Sequence, residues 1–340
     1  MGLLLPDFLE AHDKDRVEVY LYDYSPEDGT PTRQRILAAA DQALSIKALS
    51  DQQAAEVIVK QEIDVLVDLH GLSQGARPAI FAARPAAIQA QYLGYIGTTG
   101  FPWIDYVITD QVAFPRALEP YFSEKPLMVE GSFIPLGPPP IRTVVRDRQA
   151  CGLPQDRFVL AAMGNVYKIK PELFACWMRI LQKHREAVLW LIDDNPVCTA
   201  NLLAQAKNFS VDGQLIFGSR APYGEFVGRL SHADVCLDSF PYNCGSTARD
   251  IVHAGVPYVS LAGKTMVSRM GASVLHALGL AECAVASIEA YEAIVGELLG
   301  SEVDRRRLRD GVGQAILTWK SQVDRVVGSV EARLGNLVFG

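Results

Sequence analysis

Ser246 and Thr247 are neighbouring hydroxyl residues placed where a helical pattern begins, and Asp250 is an acid one turn further in. The apolar run Val235-Cys236-Leu237 precedes them, followed by a turn-rich loop with Pro241, Asn243 and Gly245. The helical pattern runs from Thr247 to about Ala254 and stops at Gly255, with Pro257 beyond it and a strand-like run over Tyr258 to Leu261. In a parallel sheet, this strand-loop-helix-strand order turns the unpaired N–H groups of a helix start toward the carboxyl edge. Partial positive charge and free donors there favour a phosphate. The hydroxyls add donors, and the Asp250 carboxylate can accept hydrogen bonds from a ribose. The same spacing suits a plainer arrangement, in which Ser246 caps the helix and Asp250 complements its dipole.

The elements that must carry such a site are spread over 340 residues, enough for two domains of ordinary size. Hydrophobic content of 49% with 21% charged residues describes a globular chain with sizeable cores. A net charge of -7 argues against a general affinity for nucleic acid. The one dense basic run, Arg305-Arg306-Arg307 with Arg309, reads as a solvated helix face. Cysteines at 151, 176, 198, 236, 244 and 283 form no C-x-x-C pair, and several sit in apolar runs, so reduced thiols and a cytoplasmic setting are expected. No apolar run reaches the roughly 18 residues of a membrane span, and no basic region leads the N-terminal apolar run, so neither membrane nor secretion is expected. There is no D-x-D pair at a strand end and no histidine ligand spacing, so no metal is expected.

Strand-like runs at Val17 to Tyr22, Ile63 to Leu69, Ile88 to Leu93 and Tyr106 to Thr109 alternate with helical ones at Arg33 to Leu44, Ser50 to Glu62 and Ala79 to Ala83. Pro135-Leu136-Gly137-Pro138-Pro139-Pro140 interrupts this alternation, since it can continue neither a helix nor a central strand. Strands at Val159 to Met163, Val188 to Ile192 and Leu215 to Phe217 then alternate with helices at Pro171 to Lys183, Thr199 to Asn208 and Tyr223 to Leu230. The pattern predicts an α/β protein of two doubly wound, Rossmann-like halves with a ligand at the carboxyl ends of the strands. The expected division is residues 1–134, a linker over 135–145, a second domain over 146–310, and a helical tail over 311–340 that crosses back onto the first.

Several segments, in order along nearly the whole chain, resemble one family. They are S-P-E-D-G-T from Ser25, G-x-x-x-G-A-R-P from Gly71, R-P-A-A-I-Q-A-Q-Y-L-G-Y-I-G-T-T-G from Arg84, I-D-Y-V-I-T-D from Ile104, N-V-Y-K-I-K-P from Asn165, G-S-T-A-R-D from Gly245, H-A-G-V-P-Y-V-S from His253 and S-R-M-G-A-S from Ser268. The chain resembles the catalytic domain of the O-linked N-acetylglucosamine transferases, glycosyltransferase family 41, which also holds the SPINDLY-type enzymes. The resemblance implies a GT-B fold, two Rossmann-like domains facing a cleft. It implies inverting, metal-independent transfer of a sugar, N-acetylglucosamine from UDP-GlcNAc, to Ser/Thr hydroxyls of a protein or peptide. No cofactor is held permanently; the nucleotide-sugar is a co-substrate.

Carried over by position, Lys168 is the cation that meets the donor diphosphate. Asn165, Tyr167, Asn243, Gly245, Ser246, Thr247 and Asp250 fall with the donor site, and Ala221 and Arg229 where the family meets the uracil ring. Arg229 can equally pair with Glu225 four positions back. Gly97, Thr98 and Thr99 belong to the glycine-rich loop near sugar and acceptor. Asp28 aligns with an acid near the acceptor hydroxyl, although an Asp before Gly is also ordinary turn chemistry. His70 follows a buried strand as a catalytic candidate or a structural histidine. A family motif of the form S-x-D-F-x-x-H falls before the start of this chain, and the tetratricopeptide repeats that usually precede the domain are not in it, which points to a trimmed or degenerate form. Asn165, Phe226, Gly245 and Lys264 replace a glutamine, two histidines and a glutamate frequent in relatives. Two alternatives follow: a non-catalytic nucleotide-binding or scaffold module, and an N-glucosyltransferase using UDP-glucose.

Overall fold

The computed structural model describes residues 2–340. The chain divides into two compact units, Met1–Gly137 with Lys320–Gly340, and Pro138–Trp319. The division falls inside the proline-rich run.

In the first unit, β1 (Tyr20–Asp23) and β2 (Gln42–Ser45) form a parallel pair, while β3 (Val65–Asp68), β4 (Ile88–Gln91), β5 (Tyr106–Thr109) and β6 (Lys125–Met128) form a parallel sheet in that order. Two of these strands correct the sequence reading. The helix expected over Arg33 to Leu44 covers Pro31–Ala39 only, and Gln42 to Ser45 pair with Tyr20 to Asp23 in register. Ala43 and Leu44 continue a helical apolar spacing, and the available β1 edge overrides it. β6 was not anticipated because it contains Pro126; as the last strand in its sheet it tolerates a residue without an N–H. The helix Asp51–Lys60 starts on a capping box between Ser50 and Gln53 and buries Ala54, Ala55 and Ile58 against Ile46, Leu66, Ile80 and Ala86.

The C-terminal stretch folds as two helices, Glu302–Leu317 and Trp319–Phe339, interrupted at Thr318. The second is tied to the first unit: Glu331 Oε1 accepts the Asp13 N–H at 3.0 Å, and Ser329 Oγ accepts the Glu130 N–H at 3.0 Å.

The second unit is built on β7 (Phe158–Ala162), β8 (Ala187–Asp193), β9 (Leu215–Ser219), β10 (Val235–Leu237), β11 (Tyr258–Leu261) and β12 (Ala284–Val285). Every pairing is parallel, in the order β12-β11-β10-β7-β8-β9. The central strands are apolar throughout because helices cover both faces. Pro171–Lys183 starts on a proline suited to a first helical turn and buries Leu173, Phe174, Cys176, Trp177, Met178, Ile180 and Leu181. Burial of that face contributes about 2 kcal/mol for each large side chain. The strand order reverses direction between β7 and β10. The connections leaving those neighbours run to opposite faces and open a crevice at the carboxyl edge.

Candidate functional site

The two loops at this switch point carry most of the donor-site candidates. After β7 the chain runs through Gly164 and Asn165 into a short 3-10 turn, Val166–Lys168, and Ile169 bridges to Phe240 in the loop after β10. The bridge brings Lys168 beside that second loop. Lys168 Nζ donates to the Asn243 carbonyl oxygen at 3.2 Å and stands 3.9 Å from the centre of the Tyr242 ring. One carbonyl and one aromatic face hold the ammonium, and no carboxylate among the described residues pairs with it, so its positive charge is available to an anion. Tyr167, next to Lys168 in the same turn, is 67% exposed.

The helix Ser246–His253 starts with Gly245 at its N-cap and no side-chain cap. The plainer reading of Ser246 as the cap is therefore not what the chain adopts. Ser246 and Thr247 are the first two helical residues, half-buried, with hydroxyls bonded to no other described residue. An uncapped start with two unengaged hydroxyls is a set of donors of the kind that can receive an anion. Asn243, by contrast, turns its side chain inward: at 0% exposure it donates to the Ser239 and Leu261 carbonyls at 2.8 and 3.4 Å and holds the loop. Its backbone carbonyl, not its amide, faces Lys168.

Asp250 is buried, and its Oδ1 accepts from Tyr223 Oη at 2.8 Å and from Arg249 Nη2 at 2.6 Å. Arg249 Nη2 also donates to Tyr223 Oη at 2.7 Å, closing a triangle. The Tyr223–Leu230 helix thereby attaches to the helix Ser246–His253, with Ala221 in the loop just before it. Arg229, on the same helix, pairs with Glu225 and donates to the Ser219 carbonyl at 3.0 Å, so this guanidinium is engaged within its own segment.

The sequence reading missed two arginines. Arg220 donates through Nη2 to Asn165 Oδ1 at 3.0 Å and through Nε to Asp194 Oδ1 at 2.7 Å, linking the ends of β7, β8 and β9. Its position one residue past β9, beside Ala221, was the available signal. Arg249, which the sequence offered only as part of G-S-T-A-R-D, is 0% exposed.

In the first unit, the candidates separate. His70 follows β3; its backbone N–H is held by Asp68 Oδ1 at 2.7 Å and its ring lies 5.3 Å from that of Tyr24. Nδ1 is 3.4 Å from Ser73 Oγ, and no described residue bonds Nε2. Gly94, after β4, packs so tightly on the Leu69 carbonyl that a Cβ would overlap it, and a Cβ on Gly71 would lie 2.5 Å from Tyr95 Cβ. These glycines permit the two loops to touch. Asp28 is exposed, and its Oδ1 accepts the Thr30 N–H and hydroxyl, both at 2.9 Å. Those bonds hold its carboxyl below the usual range, so it is an anion over the neutral range. Thr98 and Thr99 are engaged elsewhere: Thr98 Oγ1 lies 3.2 Å from Ser123 Oγ, and Glu124 Oε1 accepts the Thr99 N–H at 2.7 Å and hydroxyl at 2.5 Å. Burial works against the Glu124 carboxylate, but the threonine bonds outweigh it and lower its pKa. Gly97 gives its carbonyl to Gln91 Nε2 at 2.6 Å. Among the described residues no group of three His, Cys, Asp or Glu could hold a metal, and no helix is long and apolar enough to cross a membrane.

The profile described as Glycosyl transferase family 41 matches residues 3–135 and 138–322. A probable UDP-N-acetylglucosamine--peptide N-acetylglucosaminyltransferase of Arabidopsis thaliana, SEC, is 34% identical over 297 residues, covering 85% of this chain and 30% of its own. The Caenorhabditis elegans UDP-N-acetylglucosamine--peptide N-acetylglucosaminyltransferase is 25% identical, covering 86% and 35%. A solved mutant O-GlcNAc transferase of Thermobaculum terrenum superposes with a TM-score of 0.89 at 28% identity, covering 99% of this chain and 64% of its own. The chain thus spans about a third of the length of the curated relatives it matches.

Proposed function

The chain belongs to glycosyl transferase family 41 and has the GT-B fold, and from that premise we propose that it transfers N-acetylglucosamine from UDP-GlcNAc to Ser/Thr hydroxyls of protein, with inversion and without a metal. The observation that carries this reading is the ammonium of Lys168, without an opposing carboxylate, beside the uncapped start of Ser246–His253.

Breaking the sugar–phosphate bond moves negative charge onto the departing diphosphate. Lys168 and the Ser246 and Thr247 donors favour that charge more in the transition state than in the ground state, which accelerates the step. They fill the role a divalent cation plays in other transferases. Asp250, fixed through one oxygen by Tyr223 and Arg249, is the acceptor for the ribose hydroxyls. The acceptor hydroxyl must lose a proton as it attacks. His70, with Nε2 unbonded, and the ionised Asp28 are the first unit's candidates to receive it.

The test is transfer from UDP-GlcNAc to a protein acceptor by wild type and Lys168→Ala. The variant should retain the wild-type melting temperature and lose about 100-fold or more of turnover, the scale set by removing one preorganised donor from developing charge. A metal chelator should leave the wild-type rate unchanged. Turnover near wild type in the variant contradicts the assignment, and product on asparagine, or from UDP-glucose alone, redirects it.

A further inference from the structure

The loop joining β10 to the donor helix is held from beneath by one carboxylate. Asp238, the first residue after β10, is 0% exposed. Its Oδ1 accepts the Cys244 N–H at 2.8 Å, and its Oδ2 accepts the Ser260 hydroxyl of β11 at 2.6 Å. Asp238 and Cys244 are six residues apart, so the first bond ties the loop closed. What the tie fixes is the ligand-facing part: the Tyr242 ring, the Asn243 carbonyl that meets Lys168, and Gly245 at the helix start.

The start of the helix Met270–Ala277 presses on the same point. A Cβ on Gly271 would overlap both Asp238 Oδ2 and Ser260 Oγ, so the positive end of that helix sits against the carboxylate. No cation among the described residues forms an ion pair with Asp238. Isolated buried anions are costly, and apolar packing would secure a loop with less penalty. What a carboxylate adds is two directed acceptors at one point.

We propose that Asp238 is a positioning residue for the donor site, holding the Asn243–Gly245 backbone where Lys168 and the helix start can grip the diphosphate together. The proposal rests on the reading of that helix start as the donor phosphate site.

Its charge state bears on the test. Burial pushes the Asp238 carboxyl up to about 6, against Ser260, Tyr258 and Cys244, which favour the anion. The other titratable groups around it are Cys244 on the loop, Tyr258 on β11 and Tyr291 on the helix Ile288–Gly300. Burial pushes the Cys244 thiol up to about 12 and raises both phenols, so all three stay neutral. The Tyr258 hydroxyl stands close enough to Asp238 to favour its anion, although it forms no bond of good geometry, and Lys168 adds positive charge near Cys244. Within the cluster, Asp238 alone gains or loses charge between pH 5 and 8.

The experiment is calorimetric UDP binding to the 340-residue chain from pH 5 to 8, for wild type, Asp238→Asn and Ser260→Ala. At pH 7.5 Asp238→Asn should bind UDP about tenfold more weakly, the worth of one charge-assisted hydrogen bond. That ratio should fall toward one below about pH 6, where wild-type Asp238 is itself neutral. Protonation of the terminal phosphate, near pH 6, affects both proteins and cancels in the ratio. Ser260→Ala, which withdraws a bond favouring the anion, should move the wild-type pH midpoint upward; it also serves if Asp238→Asn does not fold. Equal affinity of Asp238→Asn and wild type at pH 7.5, a tenfold ratio that persists at pH 5, or an unmoved midpoint in Ser260→Ala overturns the positioning role and leaves the donor site standing. A wild-type chain that binds no UDP at any pH overturns the donor site itself.

Discussion

Replacing Arg249 by methionine tests whether the donor helix is built around a buried ion pair. The Arg249 side chain is 0% exposed and that of Asp250 3% exposed, with Nη2 to Oδ1 at 2.6 Å and Nε to Oδ1 at 3.1 Å. Methionine conserves much of the apolar stem but removes both donors and the counter-charge. Asp250 is left with the Tyr223 hydroxyl alone. Removing one partner of a buried pair costs about 3–5 kcal/mol, because the remaining charge has lost both water and its counter-ion. At about 2–4 °C per kcal/mol for a unit of this size, the melting temperature should fall by roughly 6–20 °C. The double variant Arg249→Met/Asp250→Asn should recover most of that loss, since it strands no charge; UDP affinity should stay low in both, as the proposed ribose acceptor Asp250 is displaced in one and neutralised in the other. Thermal unfolding of the four proteins of the cycle, read with UDP titrations, separates the contributions. A single variant within 1 kcal/mol of wild type, or a double variant less stable than the single, would refute the argument that the pair is mutually dependent.

Acid pH should stabilise the fold through Asp238. Its folded-state carboxyl at about 6 lies above the ordinary 3.8, so between those values the folded chain keeps a proton that the unfolded chain releases. Stability from this group therefore rises as pH falls through about 6 toward 3.8; above that window the buried anion costs about 3 kcal/mol, at roughly 1.36 kcal/mol per unit. Asp238→Asn should accordingly melt no lower than wild type at pH 7.5, and a melting temperature several degrees lower would contradict the buried-charge penalty. Gly94→Ala should cost about 1–3 kcal/mol and disturb the loops after β3 and β4, because the new Cβ meets the Leu69 carbonyl, backbone that cannot rotate away. Wild-type melting temperature and turnover in that variant would show that the loop contact is looser than described.

Periodicity and punctuation determined much of the second unit. The helices Pro171–Lys183 and Tyr223–Leu230 and the strand Tyr258–Leu261 have the bounds their apolar spacing and flanking residues dictate. Gly245, Ser246 and Thr247 were legible as a helix start because small and hydroxyl residues after a short apolar strand have a local meaning. The family segments, in order along the chain, pointed to glycosyltransferase family 41. Strand β2 was not legible, since Gln42 to Ser45 becomes a strand only because β1 offers it an edge, and β6 hid behind Pro126, harmless on an edge strand.

What only the tertiary structure decided is how the polar side chains are spent. Asn243 fastens its own loop from within, Thr98 and Thr99 bond to Ser123 and Glu124, and Arg229 pairs with Glu225. Arg220, Arg249 and Asp238 gained their importance from partners 55, 26 and 22 residues away, in Asn165, Tyr223 and Ser260. The physical reason is one of range. Backbone conformation follows near-neighbour sterics and the period of burial, which a sequence displays. A hydrogen bond or ion pair is fixed by which loops meet at a sheet edge, and that is set by strand order.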